Sequence, residues 1–317
     1  MNTYGKLTVR GANWLFFIVL VLQFGVSFAG ILGVQIYSAV TGRELSEDTL
    51  LNILLVGTQL FSVVIPAMLY LMLKGISVRE TIRFKTIKLL HVVLIAIMGI
   101  AGQFIAQILN LPILLLLSLL GEIPPSPIPI PHTLDGFIIS LAIIAVTPAI
   151  CEEILMRGIV MRAYEIRGTK TGLIISALLF GIIHGDIKNL IAPIFFGLIF
   201  GYFVLRTGSI LAGMLGHLAN NAFAVFLGYL QENYLVQLPF LESDLFFFLS
   251  FVVAVLIFIP AFILFRKTTS IEEKAPIAGM KQDLKAAFLN IPMIFTMVLY
   301  LILQVFAIME IVNGLPL

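Results

Sequence analysis

The stretch TPAICEEILMRGIV, residues 147–160, carries two adjacent carboxylates and an arginine in an otherwise apolar run. Ionisable side chains inside such runs are costly, and by default they indicate function. Glu153 and Arg157 stand four residues apart, so on a helix they are neighbours, with the acid on the favourable N-terminal side. Glu152 points roughly 100° away around the same helix. The spacing therefore predicts that Arg157 neutralises Glu153 and leaves Glu152 free. A carboxylate without a cationic partner in a partly desolvated setting suits a general base. The competing reading is one buried ion network of all three residues that sets helix packing.

Two imidazoles follow. His184 stands alone in LLFGIIHGD, where a hydrogen-bonded core histidine is the ordinary alternative to a catalyst. Glu152 and His184 are equidistant from Gly168 in the turn sequence RGTKTG, so an antiparallel hairpin puts them at one depth. His217 and Asn221 in HLANN are i,i+4 and share a helix face, with Asn220 partly on it. By helix rise His217 is about 12 Å from Ser209, and Glu152 is about 8 Å below an Arg157 that snorkels to the surface. Glu152, His184, His217 and Asn221 are thus expected to converge in one pocket open to the cytoplasm. Interhelical hydrogen bonding explains His217 and Asn221 singly, but it predicts no common depth.

These residues resemble the motifs of a known family, the type II CAAX prenyl endopeptidase and bacteriocin-processing membrane proteases, also called CPBP or Abi proteins. The family's EExxxR, FxxxH and HxxxN motifs read here as Glu152-Glu153-Ile154-Leu155-Met156-Arg157, Phe180 to His184, and His217 to Asn221, in that order. Met156 departs from the pattern, since the family often has an aromatic residue there. The resemblance covers roughly residues 135–230. It implies peptide-bond hydrolysis inside the membrane, with Glu152 activating water together with His184. His217 and Asn221 would stabilise the oxyanion, and Glu153 and Arg157 would support the site. Zinc held by Glu152, His184 and His217 is the alternative chemistry, because two histidines and a carboxylate form a recognised catalytic set. The chain has no HExxH, and the metal-free glutamate mechanism is preferred.

Helices must position these side chains. Of 317 residues, 60% are hydrophobic and 11% charged, against about 25% charged in soluble domains. The composition excludes a soluble domain. A net charge of +2 suggests no nucleic-acid partner, and the single cysteine, Cys151, excludes an internal disulfide or a CxxC pair. Apolar runs near the roughly 20 residues of a span lie around 12–38, 50–73, 89–119, 136–158, 171–188, 190–205, 209–230, 245–265 and 287–309. They predict an all-α, polytopic bundle of about eight or nine transmembrane helices; the sixth run is short and could merge with a neighbour or re-enter. The first is too long for a signal h-region and is expected to stay uncleaved.

Basic residues mark the cytoplasmic side. Lys6 and Arg10, then Lys74 to Lys88, Arg162 to Lys170, Arg206, and Arg266 to Lys285 fall in alternate loops. The other loops hold only Arg43 and Lys188 among many acids. The N-terminus is expected inside and the C-terminus outside, in the cell membrane of a prokaryote. Residues 121–132, GEIPPSPIPIPH, cannot be helical. Residues 75–88 mix apolar and basic side chains, which fits either a helix on the inner leaflet or a plain topogenic loop. Pro148 should kink the fourth helix, and Gly197 and Gly201 form a GxxxG contact motif.

The chain divides into N-terminal helices and linker (1–134), a protease-like core (135–230) and C-terminal helices (231–317). The expected partners are a lipid bilayer and a peptide or membrane-protein substrate, either prenylated, a leader or a membrane peptide. The alternative is a non-catalytic membrane protein, such as a bacteriocin-immunity factor or assembly partner, that retains the polar cluster for packing. A transporter fits less well, since the charged residues cluster in only three helices.

Overall fold

The computed structural model describes residues 7–124 and 129–314. Lys6, used above for orientation, and residues 125–128 of the proline-rich stretch lie outside them. Among the described residues all regular structure is helical. Seven helices are long and apolar enough to cross a membrane: α1 (Val9–Thr41), α2 (Asp48–Leu73), α4 (Leu89–Ser118), α5 (Leu134–Arg167), α8 (Ile210–Tyr234), α9 (Asp244–Thr268) and α11 (Ile291–Asn313). The remaining two apolar runs form the shorter helices α6 (Thr169–Ile182) and α7 (Ile191–Thr207). Two further helices, α3 (Val78–Ile82) and α10 (Met280–Phe288), join longer ones. The chain is an integral membrane protein.

Contacts define two ends of the bundle. At one, Ile210 N–H bonds Arg83 O at 3.2 Å and Thr169 N–H bonds Lys274 O at 3.3 Å. Glu165 gathers Arg83, Arg162 and Lys274 there, and Asp283 of α10 accepts from Arg167 and Thr171, each at 2.6 Å. This is the basic end. At the other, His132 meets Glu232 at 3.1 Å and Asn233 bonds Pro131 O at 3.0 Å. This is the acidic end. Residues 75–88 form no long surface helix. Only Val78–Ile82 is helical, Ile76 and Ile82 are buried, and the following backbone anchors Ser209 and Ile210.

Helices α6 and α7 are 14 and 17 residues long, or about 21 and 26 Å by helix rise, less than the roughly 30 Å hydrocarbon core. The connection between them, residues 183–190, has only the short 3-10 turn Ile187–Asn189 and must satisfy the rest of its polar backbone otherwise. Side-chain amides do this from neighbouring helices. Asn110 donates to Lys188 O at 2.6 Å and accepts from Ile191 N–H at 3.1 Å. Gln304 donates to Gly185 O at 3.0 Å and accepts from Ile187 N–H at 2.7 Å. The GxxxG pair seats the hairpin: a Cβ on Gly197 would lie 2.7 Å from Ala177 Cα, and one on Gly201 2.7 Å from Leu173 Cδ1.

Candidate active site

Three π-helical turns border the site. Ile65 N–H reaches Leu60 O, Thr147 N–H reaches Ala142 O, and Met161 N–H reaches Met156 O, each five residues back. Such bulges often mark functional sites. The wide turn at 141–146 precedes Pro148, which has no N–H for the carbonyl of Ile144 four residues earlier. Asn221 supplies the missing donor, its Nδ2 bonding Ile144 O at 2.9 Å. Asn220 Nδ2 in turn bonds Asn221 Oδ1 at 2.9 Å.

The ion pair of the EExxxR motif forms as the spacing predicts. Arg157 Nη1 lies 2.8 Å from Glu153 Oε1, with both side chains excluded from solvent. The guanidinium also donates to Gly197 O at 3.2 Å and Phe196 O at 3.4 Å, and it sits 4.5 Å from the centre of the Phe180 ring. Glu153 has a second partner that spacing did not reveal: His217 Nδ1 at 3.2 Å from the same Oε1. A carboxylate paired with arginine accepts, so Nδ1 carries the hydrogen and donates. The His217 ring is stacked on Phe200 at 5.3 Å and meets the edge of Phe180 at 5.8 Å. The imidazole is fixed, and its Nε2 faces Glu152 Oε2 at 4.0 Å.

Glu152 is free of arginine, as expected, but it has a neutral partner. Gln59 Nε2 donates to Glu152 Oε1 at 2.7 Å, whereas Oε2 is buried without a hydrogen bond. Gln59 comes from α2, outside the motif segment, and sequence reasoning missed it. The signal was present: a lone carboxamide in the apolar run LLVGTQLFSVV. His184 lies beyond the end of α6 rather than within a span. Its Nδ1 donates to Phe180 O at 2.7 Å, because a carbonyl can only accept, so Nε2 holds the lone pair. His184 makes no hydrogen bond or ion pair with Glu152 among the described residues, but both line the same cavity.

That cavity has a volume of about 880 Å³ and also takes in His217, Asn220 and Asn221. It runs from these residues past Pro131, Asn189 and Gly228 toward the acidic end. Toward the basic end, Met156, Ile159, Val160 and Phe203 have no exposed surface. One premise of the expected opening beside the basic loops, the depth of the site, differs in the structure. The reason is Arg157. It does not snorkel but is buried against Glu153, and α5 continues ten residues to Arg167, about 15 Å further by helix rise.

The zinc alternative fits the side chains poorly. Among the described residues, no three His, Cys, Asp or Glu groups are placed to hold a metal ion. Glu152 Oε2 and His217 Nε2 at 4.0 Å are wider than the roughly 3.3 Å between two ligands of tetrahedral zinc with bonds of about 2.0–2.1 Å.

A membrane-embedded helical bundle that holds a buried Glu–Arg–His cluster beside a second carboxylate defines the class of protein. Residues 134–223 match the family model Rce1-like, described as type II CAAX prenyl endopeptidase Rce1-like. That segment, which contains all three motifs, is similar to the CAAX protease family. No curated protein and no solved structure matches the chain.

Proposed function

We propose that this protein is an intramembrane endopeptidase in which Glu152 activates the attacking water. The family match supports a CAAX-type endopeptidase in general. The observation that carries the finer reading is Glu152 Oε2, buried without a hydrogen bond, facing His217 Nε2 at 4.0 Å. A carboxylate oxygen and an imidazole lone pair repel unless hydrogen lies between them. One water donating to both relieves the repulsion, and contacts beyond about 3.5 Å are commonly bridged in this way.

In that arrangement Gln59 holds Oε1, so Oε2 takes the proton as the water oxygen attacks the scissile carbonyl. His217, oriented by Glu153, accepts the water's other hydrogen and aims the nucleophile. The oxyanion meets the second N–H of Asn221, as a donor placed for developing charge does, with His184 on the same cavity wall. Glu152 then returns its proton to the leaving nitrogen. His217 thereby takes the role beside the water that the family resemblance gives His184. The residues present do not form a zinc set, and no step passes through a metal.

The test is purified Glu152→Gln in liposomes with a membrane-peptide library read by mass spectrometry. The variant should accumulate and melt like the wild type while losing cleavage. Equal cleavage by Glu152→Gln and wild type removes the mechanism.

A further inference from the structure

We infer that the cavity leading away from Glu152 binds an uncharged, extended peptide segment of about five residues and admits it from the extracytoplasmic side. This rests on the endopeptidase reading and names the substrate class for the same site.

The first argument is the chemistry of the wall. Beyond Glu152, His184 and His217, the cavity residues carry no charge; its polar groups are mainly carboxamides. Gln103, Gln107 and Asn110 follow one another at i, i+4 and i+7 on α4 and all face the cavity. Asn110 is committed to the 183–190 loop. The side chains of Gln23, Gln103 and Gln107 line the cavity with no hydrogen bond to another described residue. A carboxamide offers a donor and an acceptor together, the same pair as a peptide group. An extended segment entering this space must have its N–H and C=O groups satisfied, and free glutamines can do so. A charged side chain would find no counter-charge on these walls and would bear its desolvation cost unrelieved.

The second argument is length. From Gln103 to Leu114 along α4, both on the wall, helix rise gives about 16 Å. At about 3.3 Å per residue an extended chain of about five residues spans it. The volume, about 880 Å³, lies in the range of about 300–1,000 Å³ that encloses sizeable ligands.

The third is the side. The cavity lining extends to Ile130 and Pro131, beside the Asn233 contact of the acidic end, and the basic loops gather at the other. Basic loops remain in the cytoplasm, so the end that the lining reaches faces outward.

Impermeant thiol labelling tests both parts. In a Cys151→Ser background, Gln107→Cys reports the cavity wall, Glu44→Cys the acidic end and Glu272→Cys the basic end. In intact cells, Gln107→Cys and Glu44→Cys should label; in inside-out vesicles only Glu272→Cys should. Labelling of Gln107→Cys together with Glu272→Cys, or from neither side although the denatured protein reacts, overturns the assignment. An uncharged decapeptide library added outside, at about ten times its Kd, should slow the Gln107→Cys reaction about ten-fold. A matched library with Lys and Asp at alternating positions should not. Equal protection by both libraries, or by neither, overturns the substrate class. Labelling needs no turnover. A protein that labels and is protected as stated but never cleaves would count against the hydrolytic reading and leave the peptide cavity standing.

Discussion

Removing Arg157 separates what the buried ion pair does for the fold from what it does for the site. Its guanidinium and the Glu153 carboxylate touch at 2.8 Å without solvent exposure. At an effective dielectric of about 20, their Coulomb attraction is about 6 kcal/mol. Part of that is recovered by relaxation when one partner goes. Measured losses for breaking a buried pair run about 3–5 kcal/mol, which lowers the folded-to-unfolded ratio by a factor on the order of 10²–10³ or more. Arg157→Gln should therefore fold poorly in detergent, with a lower thermal midpoint and lower abundance. Replacing both partners by apolar groups, Glu153→Leu with Arg157→Met, leaves no orphan charge and should recover most of that stability. It should not recover cleavage, because His217 loses the carboxylate that holds Nδ1 at 3.2 Å. Thermal unfolding and peptide cleavage on the same preparations read the two quantities. Wild-type stability of Arg157→Gln would refute the ion-pair argument. Full activity of the folded double variant would refute the orienting role of Glu153.

Gln59→Leu removes one hydrogen bond to a carboxylate, worth about 1.5–3 kcal/mol. Cleavage should fall about 10–100-fold in kcat with KM little changed, and Gln59→Glu, which places a like charge beside Glu152, should fare no better. Asn221→Ala leaves Ile144 O without its donor and should cost about 1–3 kcal/mol of stability. Pro148→Ala, which restores a backbone N–H at that level, should return the stability but not the activity; absence of any rescue would show that the freed carbonyl is not the cause. Elemental analysis of purified protein should find no stoichiometric zinc, and cleavage should survive prolonged chelation. About one zinc per chain, lost with activity and restored with it, would reverse this.

The sequence by itself determined the membrane class and the helical segments, because a bilayer admits only long apolar runs whose backbone is satisfied internally. It determined the Glu153–Arg157 pair as well, since i,i+4 spacing on one helix is local geometry that tertiary packing did not disturb. It also marked Glu152, His184, His217 and Asn221 as lining one cavity. Tertiary structure alone decided their partners. That His217 leans on Glu153, and that Gln59 reaches Glu152 across 93 residues of chain, depends on how α2, α5 and α8 are rotated and tilted against one another, which no spacing within a helix encodes. The stripe of Gln103, Gln107 and Asn110 was legible as a pattern, but amides cost far less in a membrane than charges and so give a weaker signal. The expected depth was measured from Arg157 as a surface residue, and Arg157 is buried. An arginine snorkels only when water is its best partner, and here the folded protein supplies Glu153, two carbonyls and the face of Phe180 instead.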